Sequence, residues 1–147
     1  MEIKTSDFEI STKDVRKLLV LPNIGLDGEN IFSTDSISFI KYLKKEIDLD
    51  FYHQPEGFWE QRSIDWLGPT LFLTGKLLYD NPDLLNILFE MLSSYVRDKL
   101  PNRDSSKIKI NVICKKDENT KSMEINYEGD INGLDEIKNA IELVFKD

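Results

Sequence analysis

Cysteine and histidine are almost missing from this chain of 147 residues; Cys114 and His53 are the sole examples. A lone thiol excludes an intrachain disulfide and a cysteine-based zinc site, and it suits a reducing compartment. Only one Cys-His nucleophilic pair remains to be considered. The pattern argues against it, because both residues fall on strand faces expected to point inward. The neighbours of Cys114 on its own face, Ile110 and Val112, are aliphatic, whereas a reactive thiolate needs a polar, electropositive setting.

Basic charge is also scarce. Nineteen Lys and Arg stand against 27 Asp and Glu, for a net charge of −8. Such a surface lacks the electrostatic term that non-specific binding to nucleic acid or to an anionic membrane requires, while it attracts a basic protein. The one local basic strip, Lys107, Lys109, Lys115 and Lys116, has no interleaved aromatics. It is expected to keep a polar sheet face wet and to discourage edge pairing.

Long apolar runs are lacking too. The richest stretch, from Ile64 to Phe89, is interrupted by Gly68, Pro69, Lys76, Asp80, Asn81, Pro82 and Asp83, so it is not expected to span a bilayer. Residues Met1 to Asp7 have no apolar segment of the signal-peptide kind, and the expected location is the cytoplasm. No repeat, low-complexity tract or composition break divides the chain, which predicts a single domain over residues 1–147. The loop from Asn23 to Asn30 has neither a phosphate-binding Gly-rich ending nor enough alternating acids for calcium. Asp48 and Asp50 share a strand face, but nothing near them has a recognised ligand spacing. No cofactor and no metal are expected.

What is present is apolar periodicity. Phe8 and Ile10 alternate with Asp7 and Glu9 in a short strand or extended arm. Ser11 to Asp14 offers a cap before Val15, Leu18 and Leu19, predicting a helix of about two turns ended by Pro22. Ser33 to Ser36 starts an amphipathic helix that closes at Lys44-Lys45. Period two follows over Glu46 to His53, predicting a strand with Ile47, Leu49, Phe51 and His53 on one side. Pro69 sits where a first helical turn would begin, and Asn81-Pro82-Asp83 repeats that signal. These signals predict a helical hairpin, Pro69 to Tyr79 and Pro82 to Leu100. Two alternating runs, Lys107 to Lys115 and Lys121 to Glu128, predict an antiparallel β-hairpin. Leu134, Ile137, Ala140, Ile141 and Val144 mark one face of a terminal helix. The fold class is α+β: a single small sheet including the C-terminal hairpin, packed by the central helical hairpin and the last helix.

Between Gln54 and Asp65 a short connection carries Phe58 and Trp59 beside Glu56, Glu60, Gln61 and Arg62. A loop with large amphipathic rings suits a partner surface; the alternative is that Phe58, Trp59 and Trp66 fold back over the core. Glu56, Phe58, Trp59, Glu60 and Arg62 are the candidate partner-binding residues, Trp and Arg being frequent interface anchors. In general character, an acidic chain with an aromatic loop, a helical hairpin and a terminal ββα unit over Lys107 to Phe145 resembles the immunity and accessory proteins of bacterial conflict systems. The resemblance is one of overall character and brings no site residue with it. It implies a protein-binding module, an inhibitor of a toxin or an accessory subunit of an effector, rather than an enzyme. The competing expectation is a small enzyme or small-molecule-binding domain with a pocket beside His53, Glu56 and Arg62. Self-association through the helical hairpin is a third.

Overall fold

The structure is a computed structural model that describes residues 1–22, 31–60, 65–100 and 107–146. The loop expected at Asn23 to Asn30, the polar turn after Pro101 and the candidate Arg62 lie outside the described residues. In chain order the elements are β1 (Glu2–Thr5), β2 (Leu18–Leu21), β3 (Ile31–Ser33), α1 (Thr34–Leu43), β4 (Leu49–Phe51), β5 (Gly57–Trp59), β6 (Trp66–Thr74), α2 (Gly75–Asp80), α3 (Leu84–Lys99), β7 (Ile108–Lys115), β8 (Met123–Gly129) and α4 (Leu134–Phe145). Six strands form a mixed sheet in the order β1-β8-β7-β6-β2-β4, and β3 pairs with β5 in a separate parallel ladder. The class is α+β, as the periodicity implied.

The β7/β8 hairpin forms where alternation placed it, antiparallel and in register from Ile108 opposite Gly129 to Cys114 opposite Met123. Ile108, Ile110, Val112 and Cys114 point into the main core, together with Ile125 and Tyr127 of β8. α4 lays Leu134, Ile137, Ala140 and Ile141 against them. α1 begins at its expected cap: the Ser33 hydroxyl accepts from the Ser36 amide at 3.0 Å. The same turn grips the start of β6, because Ser33 Oγ donates to the Leu67 carbonyl at 2.7 Å.

The first arm of the expected helical hairpin is corrected. Residues from Trp66 to Thr74 form the long strand β6, and only Gly75–Asp80 is helical. β6 lies between β7 and β2, with Leu71, Phe72 and Leu73 all within 1% of full burial. A strand covered on both faces reads as a continuous apolar run, which periodicity cannot separate from a buried helix. Pro69 does not start a helix; it falls in the register shift between Leu67 and Thr70, the kind of irregularity at which a strand tolerates proline. The helix begins six residues later, at Gly75, where the Thr74 hydroxyl accepts from the Leu77 amide at 3.1 Å. Gly75 is needed at that corner because a Cβ would collide with the Lys116 carbonyl oxygen. Asn81 also changes role. Its side chain donates to the Leu77 carbonyl and closes α2, and α3 starts after Asp83.

The two-turn helix expected after Ser11 is likewise corrected. A single 3-10 turn, Thr12–Asp14, is followed by strand β2, whose Leu18 and Val20 face the main core while Leu19 and Leu21 face the other side. Four consecutive apolar residues ending at Pro22 fit a doubly covered strand better than a helical stripe. The strand expected from Glu46 to His53 shortens to β4, and His53 is exposed rather than inward.

The far face of the sheet is not simply wet. Residues 6–17 cross it as a strap, packing Phe8, Ile10 and Val15 on Leu21, Phe72 and Ile113. Phe8 meets Phe72 edge-on, with centroids 5.4 Å apart. Glu9 pairs with Lys115 and accepts from the Ser122 amide at 2.9 Å. Glu118, in the β7–β8 turn, caps the strap's 3-10 turn, accepting from Thr12 Oγ1 at 2.6 Å and from the Lys13 amide at 3.1 Å. Lys115 is therefore buried under the strap instead of lining a solvated strip, whereas Lys109 stays exposed beside Glu128.

Candidate functional site

β3 and β5 form a small ladder beside the main sheet. Phe32 of β3 is fully buried and meets Phe51 edge-on, which roots the ladder in the core. Its register partner in β5, Phe58, lies beyond the core edge. β5 approaches closely because Gly57 leaves room for Ile31; a Cβ there would sit 2.8 Å from Ile31 Cδ1. The result is a shelf on which Phe58 is 62% and Trp59 44% exposed. Glu56 and Glu60 bracket them, both exposed.

The three aromatics that one alternative would fold over the core are thus divided. Trp66 is buried at 3% exposure, edge-on to Phe39 at 5.3 Å and close to Tyr95, whereas Phe58 and Trp59 face solvent. Of the five candidate partner-binding residues, Glu56, Phe58, Trp59 and Glu60 fall on one short segment. Adjacent exposed rings carry apolar area that water covers at a cost, and their acidic flanks bias which surface would relieve it.

The residues weighed for chemistry are scattered. Cys114 is fully buried in β7, and burial pushes its thiol up to about 12. His53 is exposed and rests against Tyr52, centroids 4.5 Å apart. β7 and β4 are three strand spacings apart in the sheet, roughly 14 Å, so the two side chains cannot act together. Asp48 and Asp50 both face Lys17, at 3.5 and 3.8 Å, and share its ammonium. Asp35 accepts from the Leu67 amide at 3.3 Å; burial raises its carboxyl above the ordinary range and that hydrogen bond partly offsets the rise. Its role is to anchor β6 on α1. Among the described residues no cluster of three or more His, Cys, Asp or Glu is placed to hold a metal ion. No helix among them is long and apolar enough to cross a membrane.

One polar feature escaped the sequence pattern. Thr70 of β6, Asn111 of β7 and Asn126 of β8 stand directly opposite one another across three adjacent strands, on the strap side of the sheet. The signal was an asparagine inside each alternating run, at positions taken to be plain polar face. Open clefts of about 450 and 470 Å³ lie to either side of this row. One is lined by Lys4, Asp7, Phe8, Thr70 and Glu124, the other by Glu2, Lys109, Asn111, Asn126 and Glu128.

Comparison with known proteins finds no family model, no curated protein and no solved structure that matches this chain.

Proposed function

We propose that this chain is a protein-binding module that engages a basic partner through the β5 shelf, as an immunity-type inhibitor or as an accessory subunit. The observation that carries the reading is the exposure of both Phe58 and Trp59, consecutive residues of β5 with Glu56 before them and Glu60 after them. Large rings are the residues most often found as interface anchors, and a rim of acids on a chain of net charge −8 steers a basic partner toward them. The interaction takes place in the cytoplasm and involves neither nucleic acid nor membrane.

Trp59→Ala tests this directly. Partner captured from the native host by the wild-type chain, then titrated against both proteins by calorimetry, should bind the variant about thirtyfold more weakly, the loss expected of an anchor worth about 2 kcal/mol. Trp59 fluorescence should shift to the blue on complex formation, Trp66 being already buried. An unchanged affinity for the Trp59→Ala and Phe58→Ala variants, both folded, would refute the assignment. Self-association through α2 and α3 is a separate reading, favoured by Tyr79 standing 86% exposed at the end of α2, and sedimentation velocity tests it.

A further inference from the structure

The row Thr70, Asn111, Asn126 sets polar side chains at the centre of the six-stranded sheet, Thr70 at 1% and Asn111 at 9% exposure. Thr70 Oγ1 and Asn126 Oδ1 are each buried without a hydrogen-bond partner among the described residues. Buried polar atoms are nearly always satisfied, and an orphaned one destabilises the fold. Valine at position 70 would fill the same space without that cost. Where local consistency fails with no compensating contact, a functional site is the usual reason.

The orientation of Asn126 sets what the site can accept. Its amide nitrogen donates to Glu124 Oε2 at 3.0 Å and to Glu2 Oε1 at 3.3 Å, so the unpaired atom is the carbonyl oxygen, an acceptor only. A ligand must bring a donor to it. Each cleft beside the row presents two carboxylates and one lysine: Asp7 and Glu124 with Lys4, and Glu2 and Glu128 with Lys109. Lys4 is shared between Glu124 at 3.3 Å and Glu2 at 3.7 Å, and Lys109 pairs with Glu128 at 3.7 Å. The four carboxylates of the two clefts thus share two ammonium groups. Phe8 and Leu21 give the first cleft, open and about 450 Å³ in volume, an apolar wall for a short alkyl chain.

We infer that the strap-side face of the sheet binds a small ammonium- or guanidinium-bearing molecule, with its donors on the Thr70, Asn111 and Asn126 row and its charge between the flanking carboxylates. The site shares no residue with the β5 shelf. The probe is agmatine, which carries both cationic groups on a short alkyl chain, with glucose and succinate as the neutral polyol and anionic comparators. The full chain should gain thermal stability with agmatine, bind it by calorimetry, and show shifted side-chain amide NMR signals for Asn111 and Asn126. Thr70→Val should melt at the same temperature or higher while losing about tenfold in agmatine affinity, since it removes an orphaned hydroxyl the fold does not use. Lys4→Met, at an exposed position, should tighten agmatine several-fold by freeing Glu124. The inference is overturned if agmatine does not bind, or if glucose or succinate binds in its place. A Thr70→Val variant that melts lower, or one that keeps full affinity, also overturns it, as does a Lys4→Met variant with unchanged or weaker binding.

Discussion

Glu9→Gln puts the strap under the most direct strain. The Lys115 side chain is 7% exposed and Glu9 is its ion-pair partner, so neutralising the acid leaves an ammonium buried beneath the strap. Severing a fully buried pair costs about 3–5 kcal/mol, and an exposed pair contributes about 0–1. Glu9 is itself 43% exposed, so water screens part of the interaction. The expected loss lies between these limits, about 2 kcal/mol. At this chain length that corresponds to a fall of about 4–8 °C in Tm. Lys115→Met removes the buried charge along with the pair and should cost less, and the double variant should regain most of what Glu9→Gln alone loses. Urea melts of the four proteins measure the cycle. pH gives an independent check. The hydrogen bond from Lys115, helped by the Ser122 amide, holds the Glu9 carboxyl below its ordinary value of 4.5. A depressed folded-state value means the stabilisation is complete above that ordinary value and is lost as pH falls through the lower one. Wild type and Glu9→Gln should therefore differ at pH 7 and converge in acid, once the pH has fallen through the lowered value. A gap below about 0.5 kcal/mol at pH 7, or one that persists unchanged into acid, would refute the latch.

Other perturbations read different parts of the molecule. Glu118 is also held below the ordinary carboxylate range, chiefly by Thr12, so Glu118→Ala should speed amide hydrogen exchange at Thr12 and Lys13 near neutral pH, with the difference from wild type vanishing in acid. Gly75→Ala drives a methyl into the Lys116 carbonyl and should cost about 1–3 kcal/mol in denaturant melts. Trp66→Ala should cost about 3–5 kcal/mol, whereas Trp59→Ala should stay within about 1 kcal/mol of wild type, because only the first ring is packed in the core. Cys114, its thiol pushed up to about 12, should react with a thiol reagent at pH 8 only as fast as the chain unfolds; rapid labelling of the native protein would contradict its burial.

The residues settle some of this without help from distant parts of the chain. Ile108, Ile110, Val112 and Cys114 alternate with polar neighbours, and one side of that alternation can face only a core, so the β7/β8 hairpin needs no further information. Ser33 and its helix, and the apolar stripe of α4, are equally local: a cap and a 3.6-residue period are properties of a dozen consecutive residues. The aromatic segment around Phe58 and Trp59 stands out by composition alone.

Partners distant in sequence decided the rest. Leu71 to Leu73 and Leu18 to Leu21 are short apolar runs with no period, and each became a strand because β7 and β4 lie alongside to take its hydrogen bonds. Trp59 and Trp66 are the same residue type seven positions apart; what separates them is whether Phe39 and Tyr95 are there to surround the ring. The strap exists because Glu9 finds Lys115 and Glu118 finds Thr12, more than a hundred residues away. The row of Thr70, Asn111 and Asn126 is a matter of strand register, which no single segment contains. Local sequence sets which backbone states are cheap, and burial and pairing, supplied from afar, choose among them.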